Sequence, residues 1–148
     1  MHPSWGTYPD TILRFPEAGL SIDLRRPPSP HAIHALAELG LPGPFAVVTA
    51  CEPLGIPLEE TANSRLTAVL TAVVLDRYPG ARLAHGTSPD GAHVERGWAI
   101  PAPLGDIQVL AARFFQNAVF WFEAGCFQIV PVLAPFPPLP LPCGGANP

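Results

Sequence analysis

Between residues 59 and 76 apolar side chains recur at three- and four-residue spacing, at Ala62, Leu66, Val69, Leu70 and Val73, which predicts an amphipathic helix. Its acidic start, Glu59-Glu60, complements the positive end of the helix dipole. Leu104, Ile107, Leu110, Ala111 and Phe114 predict a second helix over 104–115, and Ile33, Leu36 and Ala37 a short one over 31–39 that Gly40 stops. The continuous apolar run at 45–50 predicts a strand buried on both faces at the centre of a sheet. Leu20, Ile22 and Leu24 alternate with polar residues, as in a short edge strand. Strands at 82–87 and 93–100 flank Ser88-Pro89-Asp90-Gly91, whose residue types specify a turn, and strands at 118–122 and 126–130 flank Glu123-Ala124-Gly125.

From residue 45 to residue 122 the order is βαββαβ, which predicts an α+β, ferredoxin-like two-layer sandwich: an antiparallel sheet with both helices on one face, extended by additional edge strands. The chain divides into an N-terminal extension (1–30), one α+β domain (31–130) and a proline-rich tail (131–148). In the tail Pro135, Pro137, Pro138, Pro140 and Pro142 interrupt any regular ladder of backbone donors, so an extended or disordered appendage is expected, a candidate ligand for a partner's groove.

The 148 residues suit a single core, and with 48% apolar and 14% charged residues the chain has enough apolar surface to fold. All eight basic residues are arginines, spread from Arg14 to Arg113 in a chain of net charge −4, so no basic patch exists for a phosphate backbone and nucleic-acid binding is not expected. No apolar run reaches the roughly 18 residues of a membrane span, and residues 1–5 lack a basic stretch followed by an apolar one. A cytoplasmic location without membrane attachment is expected. Cys51, Cys126 and Cys143 are odd in number and widely spaced, which predicts reduced thiols rather than a disulfide framework or a Cys-x-x-Cys metal site.

Several phrases stand in a specific order: Val48-Thr49-Ala50 with Pro53 after it, Glu60-Thr61-Ala62-Asn63-Ser64-Arg65, Gly86-Thr87-Ser88-Pro89-Asp90-Gly91 followed by His93 and Glu95, and Phe115-Gln116-Asn117-Ala118-Val119-Phe120. Through them the chain, over about residues 46–130, resembles a bacterial family known as the domain-of-unknown-function family numbered 3293. The resemblance implies no activity. It marks one departure, since the family tends to place Asn before that proline where this chain has Glu52.

Three groups of polar residues exceed the needs of a core. Thr49 ends the central strand, Glu52 follows in the loop, and Asn63 and Arg65 begin the next helix. Asn63 lies on the core side of that helix, where an unpaired amide would cost about 1–3 kcal/mol. It either ties down the 51–58 loop or joins Arg65 in holding a small polar or anionic ligand. His85, His93 and Glu95 are residue types used in metal ligation and proton transfer. A hairpin centred on Pro89 sets His85 opposite His93, with Glu95 on the same face; a two-residue Asp90-Gly91 turn sets His85 opposite Arg96 and dissolves that site. Gln116, with Asn117, sits among apolar neighbours between a helix and a strand, either satisfying backbone groups or meeting a ligand. Cys51 has no adjacent histidine to activate it and reads as an inert thiol.

The leading expectation is a domain that binds a small polar or anionic ligand, or a protein partner, through Thr49, Glu52, Asn63, Arg65 and Gln116. The second is a small metal-assisted hydrolase with His85, His93 and Glu95 around a divalent ion; no other cofactor is expected. The third is a structural subunit docking through its tail.

Overall fold

The computed structural model describes residues 8–144; the opening residues 1–5 and the last four of the proline-rich tail lie outside them. The strands are β1 (Ile12–Phe15), β2 (Leu20–Asp23), β3 (Phe45–Thr49), β4 (Arg82–Thr87), β5 (Val94–Ile100), β6 (Ala118–Glu123), β7 (Cys126–Pro131) and β8 (Leu139–Pro140), and the helices α1 (Pro30–Glu38), α2 (Glu60–Arg77) and α3 (Leu104–Arg113). All eight strands join one sheet in the order β2-β1-β4-β5-β3-β6-β7-β8, and every pairing is antiparallel.

This arrangement overturns the ferredoxin-like two-layer sandwich. A two-layer fold covers one face of its sheet, whereas β3 is buried on both and needs cover on both. On one side Ala46, Val48, Ile100, Val119 and Trp121 pack with Leu70 and Val74 of α2 and Ile107, Leu110 and Ala111 of α3. On the other, Phe45, Val47, Ala84, Ala99, Phe122, Phe127 and Ile129 pack with Ala32 and Leu36 of α1. That second core also takes in Leu13 and Phe15 of β1, Leu20 and Ile22 of β2 and, beyond the far edge, Leu141. Residues from both ends of the eight-stranded sheet therefore meet in one cluster, and the sheet curls around it like half a barrel.

Local chemistry fixes the elements. Ser29 caps α1, its hydroxyl accepting the Ala32 N–H at 3.0 Å, and Pro30 occupies the first helical position, where no N–H is needed. Gly40, at φ 93°, ends the helix in the left-handed region while the Leu41 N–H returns to the Leu36 carbonyl at 2.8 Å, a glycine-terminated stop. The concave core is dominated by rings: Phe45 stacks on Phe122 with centroids 5.0 Å apart and meets Phe15 and Phe127 edge-on.

Part of the proline-rich tail lies against the sheet. Leu139 pairs with Ile129 and Pro140 with Gln128, and Leu141 is buried. Cys143 returns to the start of β7 and is disulfide-bonded to Cys126, which corrects the expectation of three reduced thiols. The 17-residue separation concealed the pair because only the return of β8 along β7 brings the two sulfurs together. Among the described residues no helix is long and apolar enough to cross a membrane.

Candidate functional site

Strand alternation sends Phe45, Val47 and Thr49 to the concave face, and β3 stops at Thr49. Glu95, on the same face of β5, extends past that stop, because Thr49 pairs with Gly97 two residues further along. Gln116 stands two residues before Ala118, where α3 gives way to β6. Beyond Thr49 the chain turns through Cys51 into Glu52, whose φ of 47° is left-handed. Three segments distant in sequence thus bring polar side chains to one end of the concave face. They line a cavity of about 420 Å³ whose walls include Val47, Ala118, Phe120 and Tyr8.

The side chains are tied to one another. The Thr49 hydroxyl lies 3.0 Å from Glu95 Oε1, to which it donates, and 3.3 Å from Gln116 Oε1. Gln116, 6% exposed, gives its amide protons to the carbonyls of Cys51 and Phe114, both at 3.1 Å, so it pins the loop and also faces the cavity. His93 Nε2 sits 2.9 Å from Glu95 Oε2 and 3.4 Å from Glu52 Oε1. The bond to Glu95 raises the His93 pKa above its ordinary value, against the opposing effect of burial, and both carboxylates add to the rise. Burial raises the Glu52 pKa; His93 counteracts this, and the Glu95 charge reinforces it.

The hairpin adopts the tight register. Thr87 pairs with Val94, and the Ser88 N–H bonds the His93 carbonyl at 2.9 Å across a turn in which Gly91 has φ 74°. His85 therefore opposes Arg96 on the face away from Glu95, and the expected His85–His93–Glu95 group does not assemble. Burial, reinforced by the Arg96 charge, lowers the His85 pKa. The place intended for His85 is taken by Glu52: its carboxylate, His93 and Glu95 have donor atoms all within 4.8 Å of one another. Two carboxylates and an imidazole at that separation can share a proton or surround a cation.

Asn63 stands behind the site rather than in it. Its Oδ1 accepts the Glu52 N–H at 2.9 Å and its Nδ2 reaches the Leu58 carbonyl at 3.5 Å, holding the loop that carries Glu52. Arg65 is exposed on α2 and does not line the cavity. Cys51 is buried, and burial raises its pKa, as suits an inert thiol. Tyr8, Asp10 and Arg25 also line the cavity, and no sequence signal pointed to them, because the N-terminal segment reads as an appendage until β1 places it beside β4. Arg25 is engaged by Asp23 at 2.8 Å, a contact that lowers the Asp23 pKa to about 2.

Replacing Asn63 with alanine strands the Glu52 N–H in a half-buried loop, and the expected loss is about 1–3 kcal/mol in denaturant unfolding. Asn63→Asp keeps the acceptor and should recover most of it. Equal unfolding midpoints for wild type and Asn63→Ala would show that the loop is held by other means.

Residues 48–119 match the model of a family described as "Protein of unknown function (DUF3293)". The matched stretch begins inside β3 and ends inside β6, so it carries Thr49, Glu52, Asn63, His93, Glu95 and Gln116 together. No curated protein and no solved structure matches the chain.

Proposed function

We propose that this chain is a small-molecule-binding domain whose ligand occupies the concave cavity. Thr49, Glu52, His93, Glu95 and Gln116 would hold the ligand's polar end, and Val47, Ala118 and Phe120 its apolar side. The observation that carries the reading is the convergence of five polar side chains, from three separate segments, on a cavity of about 420 Å³. That volume is within the range of small-ligand sites, which combine apolar walls with a few directed polar groups. Backbone strain supports it: Glu52, Leu54 and Phe115 all have φ between 47° and 57°, and the Leu54 N–H bonds the Phe115 carbonyl beside the site. Such conformations cost of order 1–3 kcal/mol each in non-glycine residues and cluster where a fold holds side chains for use.

The charges favour a polar ligand rich in hydrogen-bond donors, such as an amine or a polyol, over an anion. Asp10, Glu52 and Glu95 line the cavity, and the guanidinium of Arg25 is already paired with Asp23. A thermal-shift series with amines, sugars, nucleosides and carboxylic acids tests this. At least one of the first three classes should raise the melting temperature, and Phe120→Ala should reduce that rise. No shift from any class, or a shift that Phe120→Ala leaves intact, would remove the reading.

A further inference from the structure

We propose that Glu52, His93 and Glu95 are the protein ligands of one divalent transition-metal ion, of the manganese-to-zinc series, whose remaining coordination positions open into the cavity. The inference rests on the reading of that cavity as the ligand site and adds the chemistry of its polar end.

The separations suit such an ion. Ligand atoms about 2.1 Å from a metal stand about 3.0 Å apart at a right angle and about 3.4 Å apart at a tetrahedral angle. His93 Nε2 is 2.9 Å from Glu95 Oε2 and 3.4 Å from Glu52 Oε1, and all three donor atoms fall within 4.8 Å of one another. One imidazole and two carboxylates form a mixed nitrogen–oxygen set of the kind manganese(II), iron(II) and zinc accept.

The surroundings hold these atoms in place. Thr49 donates to Glu95 Oε1, which leaves Oε2 turned toward His93, an outer contact of the sort that orients metal-binding carboxylates. Asn63 grips the backbone of Glu52 at its left-handed turn and so directs the third ligand. An ordinary ion pair would need one carboxylate for one histidine. Here the second carboxylate comes from a strained loop 41 residues away, and its charge opposes that of Glu95 unless a cation of higher charge lies between them. With three protein ligands, the ion would retain open positions for water or for the cavity's ligand.

The test uses the full chain, without a histidine tag and stripped by chelator, titrated with manganese(II) and separately with zinc, and followed by calorimetry and by electron paramagnetic resonance for manganese. One ion should bind per chain, with a nitrogen coupling from His93 in the resonance spectrum. Glu52→Gln, His93→Gln and Glu95→Gln should each weaken binding at least about 100-fold, and Thr49→Val about tenfold, as loss of an outer contact does. His85→Ala should leave the metal affinity unchanged, with circular dichroism confirming that each variant is folded. Absence of one-to-one binding by wild type for either ion overturns the proposal, as does binding that His93→Gln leaves within twofold. Should organic ligands bind in a Phe120-dependent manner while metals do not, the cavity reading stands and this inference falls; metal binding without any organic ligand gives the reverse.

Discussion

Gly97→Ala should destabilise the protein by about 3 kcal/mol, the upper end of the range for overpacking a well-filled interior. In an unremarkable strand the same change gains roughly 0.5–1 kcal/mol, because glycine loses more backbone freedom on folding. Contact geometry decides the sign here. A β-carbon at Gly97 would stand against the Val48 carbonyl oxygen, 2.9 Å from Thr49 Cγ2 and 3.1 Å from the Val48 carbonyl carbon. Two of these are backbone atoms of the neighbouring strand and cannot swing aside, so β3 and β5 must separate where Thr49 meets Gly97. The displaced Thr49 would then release Glu95, so metal affinity should fall with stability. Urea unfolding checks the first effect; a midpoint at or above that of wild type would show that the sheet can yield at this position.

Phe45→Ala should cost about 3–5 kcal/mol, the range for removing a buried ring. Phe45 is fully buried and touches Phe15, Phe122 and Phe127, so no single neighbour can fill the void. Against a total stability of about 5–15 kcal/mol, typical of a domain, the variant should melt far below wild type. Phe115→Ala is the control: that ring is 56% exposed, and its removal should change stability by only about 0.5 kcal/mol. Similar melting temperatures for the two variants would mean that the concave core does not hold the fold together.

The regular elements were legible because their periods are strong. Helices read at 31–39, 59–76 and 104–115 occur as Pro30–Glu38, Glu60–Arg77 and Leu104–Arg113. Val69 shows the limit of that signal: it repeats with the core positions, yet it is 56% exposed, while Leu70 and Val74 carry the burial. β1 was missed because Ile12–Phe15 opens on two adjacent apolar residues and runs straight into Pro16, so it displays no alternation. β8 was missed because prolines surround it. These omissions led to the wrong fold class, since the unread strands and tail help to cover the second face.

The site was legible in its residue types and not in its partnerships. Thr49, Glu52, His93, Glu95 and Gln116 were all singled out, yet in separate groups. Glu52 and His93 lie 41 positions apart, on elements whose approach depends on the pairing of β3 with β5. No spacing along the chain encodes that. The hairpin register was the other undetermined quantity, and a shift of three residues, an odd number that also reverses the face, exchanges the partner of His85 from His93 to Arg96. Glu52 holds a left-handed backbone that asparagine tolerates better than glutamate does, so this chain accepts strain to place a carboxylate there.

The proline-rich segment has a further consequence for how the molecule behaves among its own copies. An unpaired outer strand offers its backbone groups to any chain that drifts alongside, the usual beginning of aggregation. Here the outermost strand at one margin is two residues long, and Pro140 and its neighbour Pro138 have no N–H to offer. At the opposite margin β2 carries Asp23, paired with Arg25 just beyond it, and so presents charge to newcomers. Both borders are thereby closed to recruitment, and a bond from Cys126 to Cys143 fastens the proline seal in position.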